Sequence, residues 1–126
     1  MRFKYNKAFS LIEVLITVAI LSTTVIFLFR SFTTSLATTR FAERMTLACY
    51  LAENKIWEIQ QAYANDATLS QDGYEIMQGT RFGWKYRITE SVNPKLKELI
   101  TTVSWKERAK EKEYTMDFYT YLLPKP

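Results

Sequence analysis

The chain has 126 residues, a formal charge of +4, one cysteine and no histidine. That length suits one small domain plus an anchor. Without histidine, neither a His-dependent triad nor a His/Cys zinc site can be built within the chain, and Cys49 alone forms no internal disulfide.

The charge is unevenly placed. Arg2, Lys4 and Lys7 precede the first apolar run, and no acidic residue does. Without residues 1–8 the 17 Lys+Arg become 14 against 13 Asp+Glu, leaving +1. The basic balance therefore bears on membrane orientation more than on nucleic acid, and it predicts a cytoplasmic amino end.

From Phe9 to Phe29 the chain has 21 residues with one charge, Glu13, and neither Gly nor Pro. As a helix this run is about 31 Å long, matching a hydrocarbon core of about 30 Å. Three readings fit. A cleaved secretory signal ending at "SLA" (residues 35–37) would have an apolar core longer than usual and an acid within it. A plain signal anchor tolerates Glu13 near the interface, where an acid costs less than at the bilayer centre. The third reading gives Glu13 a partner. Cleavage after Ala8 makes Phe9 a new amino terminus. In a staggered pair of helices, the Phe9 amine of one chain can then meet Glu13 of the other and set a polymer register. A carboxylate in the first turn also suits the helix dipole.

Beyond Arg30 the sequence turns polar without a Pro or Gly until Gly73. Phe41, Met45, Ala48, Ala52, Ile56, Ile59 and Tyr63 recur at helical spacing, widened by Leu47 and Leu51. One helix of 56 residues from Phe9 to Ala64 is predicted, about 84 Å long. Arg40, Glu43, Arg44, Glu53 and Glu58 lie largely off the stripe. Trp57 and Ile56 are expected in the core, Glu53 and Lys55 on a solvated face, and Cys49 as a small buried thiol.

"NDATLSQDGYE" (65–75) reads as a loop. Phe82, Trp84, Tyr86 and Ile88 then alternate with Arg81, Gly83, Lys85 and Arg87 as a half-buried strand. Asn93-Pro94 marks a turn. Leu99, Thr101, Val103 and Trp105 form the next strand, "KERAKEK" (106–112) a charged connection, and Tyr114, Met116, Phe118 and Leu122 one face of the last. Residues 74–77 are expected to add a short edge strand. Short links imply antiparallel pairing, and the aromatic face should lie on the helix in a two-layer α+β head. The expected division is a leader over 1–8, a membrane half over 9–30, an amphipathic half over 31–64 and a sheet over 65–126. Arg81, Lys85 and Arg87 with Trp84 and Tyr86 resemble a single-strand nucleic-acid groove, but alternation puts cations and aromatics on opposite faces, so no nucleic-acid partner is expected. Tyr119 and Tyr121, opposite Met116 and Phe118, are candidates for a protein contact. No phosphate loop, metal spacing or nucleophile arrangement appears, so no enzyme activity and no cofactor is expected.

"KAFSLIEVLITVAILS" (7–22) resembles the amino terminus of type IV pilins and type II secretion pseudopilins: a basic leader, a small residue at the cut, then Phe, then Glu four residues on. Those families usually have Gly where this chain has Ala8. "LAENKIWEIQ" (51–60), "FGWKYRI" (82–88), "ITTVSW" (100–105), the small size and the missing carboxyl-terminal cysteine pair resemble the I-type minor pseudopilin. The resemblance implies a pilin-like fold, cleavage between Ala8 and Phe9 by a prepilin peptidase, methylation of the Phe9 amine, and assembly through Glu13. It further implies a bacterial inner-membrane protein with a periplasmic head. Its partners would be the H-, J- and K-type minor pseudopilins in a tip complex and the major pseudopilin. A minor type IV pilin serving adhesion, motility or DNA uptake is the alternative.

Overall fold

A computed structural model describes residues 9–107 and 111–125. It contains one helix, α1 (Leu11–Ala64), and four strands, β1 (Asp72–Met77), β2 (Thr80–Glu90), β3 (Lys97–Glu107) and β4 (Lys112–Leu122). The strands form one antiparallel sheet in the order β1-β2-β3-β4. The chain divides into two compact units, residues 1–42 and 43–126. The second holds the sheet and the part of α1 that packs on it, an α+β pilin-like head.

Register explains the packing. Phe82 pairs with Trp105 and Trp105 with Tyr114; Trp84 pairs with Val103 and Val103 with Met116; Tyr86 pairs with Thr101 and Thr101 with Phe118. Side chains alternate across a strand, so these rows share one face. Phe82, Leu99, Thr101, Val103, Trp105 and Leu122 on it are buried against Ala48, Leu51, Ala52 and Ile59 of α1. Ala48 and Ala52 have no exposed surface, and their small size lets the helix backbone come close to the sheet. Ile59, Leu99 and Leu122 form a cluster, with Ile56, Tyr63 and Tyr86 packed around it. Each large side chain buried this way contributes about 1.5–3 kcal/mol. Arg81, Lys85 and Arg87 are exposed on the other face, the separation of cations from aromatics that the alternation predicts.

The turns follow local chemistry. Gln78 (φ 47°) and Gly79 (φ 74°) are both left-handed, the I′ geometry of a two-residue hairpin. Between β2 and β3, the Asn93 side chain accepts from the Lys95 amide at 3.1 Å. At the end of α1, Asp66 is left-handed (φ 54°) and the Ala67 amide reaches the Ala62 carbonyl at 2.9 Å, a Schellman closure with aspartate at the usual glycine position. Lys125 of the tail bonds Asp66.

Five expectations change. The helix begins at Leu11, because Ser10 caps it and Phe9 lies outside. Met45 is 39% exposed, whereas Leu51 is among the most buried residues, so the packed stripe runs through Ala48, Leu51, Ala52 and Ile59. Trp57 is 64% exposed instead of lying in the core. Lys55 is not on a solvated face: its ammonium sits 4.5 Å from the Trp84 ring centroid and 3.1 Å from Glu58. The charged connection is shorter than 106–112, since β3 runs to Glu107 and β4 starts at Lys112; residues 108–110 lie outside the described residues. Two smaller differences accompany these. The edge strand expected over 74–77 starts two residues earlier, with Asp72 and Gly73, read as loop, in β1, and Cys49 is half-buried.

Candidate assembly site at the start of the helix

The first turn of α1 is built by Ser10. Its hydroxyl accepts from the Glu13 amide at 3.3 Å, and its carbonyl accepts from the amides of Glu13 at 3.1 Å and Val14 at 3.2 Å. Ser10 is thus the N-cap, and Glu13 occupies N3, the pattern S-x-x-E of a capping box. Ser10 was missed in reading the sequence, although the signal was in "SLIE". The cap fixes where the helix begins, two residues after Phe9. Phe9 and Glu13 therefore sit at the same end, with the carboxylate in the first turn where the helix dipole favours it. Glu13 makes no ion pair among the described residues. Ala8, the other half of the expected cleavage site, lies outside the described residues.

From this turn onward the surface of α1 is mainly apolar. Leu11, Ile12, Val14, Leu15, Ile16, Val18, Ile20 and Leu21 are exposed, and so are residues 25–29 and Phe32. The stretch is long and apolar enough to cross a membrane and fits single-pass anchoring. The hydroxyls of Thr17, Ser22, Thr23 and Thr24 do not spoil it, because these four are bonded within the helix. Thr17 donates to the Glu13 carbonyl at 2.8 Å, Ser22 to Val18 at 2.7 Å, Thr23 to Ala19 and Thr24 to Ile20 at 2.8 Å. Thr34, Thr38 and Thr39 repeat the pattern further on. A hydroxyl bonded to the carbonyl four residues back carries little desolvation cost into lipid.

Among the described residues no group of His, Cys, Asp or Glu is arranged to hold a metal ion. The hollows of the head are open depressions on the outer face of the sheet, lined by residues such as Tyr74, Lys85, Thr102 and Asp117. Tyr119 and Tyr121 are exposed on that face.

Comparison with known families matches residues 3–29 to the prokaryotic N-terminal methylation motif. Residues 43–122, the helix segment and sheet just described, match the model of the type II secretion system protein I. The chain belongs to the type II secretion system protein I family. No match is found among curated proteins or among solved structures. As a protein I family member, the chain is a pseudopilin of type II secretion, a structural component that assembles with other pseudopilins. The methylation motif covers Lys4, Lys7, Phe9 and Glu13, and carries with it processing by a prepilin peptidase.

Proposed function

We propose that this protein I family member is a minor pseudopilin of the tip complex that starts pseudopilus assembly, with the H-, J- and K-type subunits and then the major pseudopilin as neighbours. The observation that carries this reading is the pairing of two matches on one chain: a methylation motif over 3–29 and a protein I head over 43–122. The head match also favours secretion over the alternative of a minor type IV pilin, which would share every feature of the anchor.

The mechanism follows from the first turn. Cleavage between Ala8 and Phe9 frees an amine one residue before the Ser10 cap. Methylation leaves that amine cationic. Glu13 of a neighbouring chain, staggered along the helix axis, neutralises it, so that a carboxylate in a lipid environment gains its counter-ion only on assembly. A buried charge without a partner is costly, so the pairing selects one register. The basic leader holds the amino end in the cytoplasm and the head lies in the periplasm, anchored in the inner membrane by residues 9–30.

Mass spectrometry of the mature protein tests the processing: the expected amino-terminal peptide begins with methylated Phe9, and an intact Met1 would overturn it. Glu13→Ala is expected to abolish incorporation into the pseudopilus while leaving cleavage intact. Normal incorporation of that variant would remove the basis for the register.

A further inference from the structure

On the outer face of the sheet, register sets the rows. Lys85 pairs with Thr102 and Thr102 with Asp117; on the next row Arg87 pairs with Ile100 and Ile100 with Tyr119. Two of the open depressions meet at Lys85 and Thr102. Their two sides differ in chemistry. On β2, Lys85 and Arg87 are exposed and stand about 7 Å apart along the strand. Neither makes an ion pair among the described residues, and none joins Lys85 to Asp72, its neighbour on β1. On β4, Asp117 accepts from the Thr102 hydroxyl at 2.7 Å, which orients its carboxylate. Tyr119 beside it is 65% exposed. Charged donors therefore line one side, and an ordered acceptor with an aromatic ring lines the other.

The chemistry of the two sides selects what fits between them. The centres of protein interfaces are depleted in Lys, Asp and Ser, yet Lys85, Asp117 and Ser104 hold the middle of this face. A peptide laid across it finds no backbone partner, because β2 and β3 are paired on both sides and their amides and carbonyls are already used. A nucleic-acid phosphate suits Lys85 and Arg87 but meets Asp117 at like charge. A hydroxyl both donates and accepts, so a ligand rich in hydroxyls satisfies both sides at once. The apolar face of a sugar ring rests well on a tyrosine, and a carboxylate on the sugar answers the unpaired cations.

We propose that the outer face of the sheet binds a glycan strand bearing carboxylates. Lys85 and Arg87 take the carboxylates, Asp117 takes sugar hydroxyls and Tyr119 lies under a ring. In the periplasm, where the pseudopilin reading puts the head, such strands are those of the cell wall; the binding itself does not depend on assembly.

The test titrates the full chain in neutral detergent, followed by calorimetry. One probe is the glycan strand of peptidoglycan after an amidase has removed its stem peptides, which leaves a carboxylate on every second sugar. The other is the same strand with those carboxylates amidated. At about 0.15 M salt, which screens exposed charges beyond about 8 Å, the carboxylate form should bind saturably and the amidated form about tenfold or more weaker. No binding, or equal binding of the two forms, overturns the proposal. So does equal or tighter binding of polyglutamate or of oligothymidylate, which would make the face a site for acidic protein or for nucleic acid. This comparison uses the unaltered chain and needs no variant to fold.

Variants then locate the site. Lys85→Gln/Arg87→Gln should weaken the carboxylate form about tenfold and leave the amidated form nearly unchanged. Tyr119→Ala should weaken both forms alike, by about fivefold. Arg40→Gln/Lys95→Gln, which removes two exposed cations elsewhere, should change neither. Normal binding by the Lys85→Gln/Arg87→Gln variant, or an equal loss in the Arg40→Gln/Lys95→Gln control, overturns the proposal. Failed binding leaves the secretion reading standing, whereas intact secretion after deletion of the whole chain would end that reading and leave the binding in place.

Discussion

Arg44 and Glu107 lie 63 residues apart in sequence and meet at 2.8 Å, tying α1 to the end of β3. Glu107 is the last residue of β3 and its side chain is largely covered. Arg44 reaches it from α1 four residues before Ala48, on the packed side of the helix. Removing one partner strands a partly buried charge, which costs more than the intact pair contributes. Arg44→Ala should therefore lower the stability of the head by about 1–3 kcal/mol, measured by urea unfolding of the full chain in neutral detergent with tryptophan fluorescence. Arg44→Met with Glu107→Leu should recover much of that loss.

Gly73 pairs with Trp84 across β1 and β2, and the indole leans over it. A Cβ at Gly73 would stand 2.7 Å from Trp84 Cζ2. Gly73→Ala should displace the ring, release Lys55 from its face and cost about 1–3 kcal/mol. A shift in the fluorescence maximum of Trp84, isolated by replacing Trp57 and Trp105 with Phe, would report the displacement.

Thr101 is fully buried under the helix between Tyr86 and Phe118, and its hydroxyl has no hydrogen-bond partner among the described residues. Thr101→Val keeps the shape and removes the unsatisfied group. The variant should be as stable as the parent or more so, by up to about 1 kcal/mol. A clear loss in the same urea titration would show that the hydroxyl does bond.

Ser10→Ala removes the hydroxyl that accepts from the Glu13 amide. Amide exchange at Glu13 should quicken, reflecting a local loss of about 0.5–2 kcal/mol, while Ser10→Asp should retain protection. This separates the structural role of the first turn from the charge on Glu13, since both variants keep the carboxylate.

The strands were legible because their alternation is strict. Phe82, Trp84 and Tyr86 repeat every second residue, and a half-buried strand requires that period. The inner face of the helix was legible in part, through Ala48, Ala52 and Ile59. Its exact orientation was not: a run that also carries Tyr50, Trp57 and Met45 has apolar residues on more than one side, and composition alone does not say which side meets the sheet. Trp57 was assigned inward for that reason. The Arg44–Glu107 pair was hidden by distance along the chain, since a cation on a helix and an acid in a charged stretch look solvated until the fold joins them. The Ser10 cap, by contrast, is a four-residue signal overlooked beside the stronger apolar run.

The inward-turned hydroxyls of Thr17, Ser22, Thr23 and Thr24 have a consequence for transit. A hydroxyl already served by its own backbone keeps the same bond in fatty-acyl chains or among protein neighbours. At these four positions, moving from one medium to the other asks only for an exchange of greasy contacts, with no bond to break at the threshold.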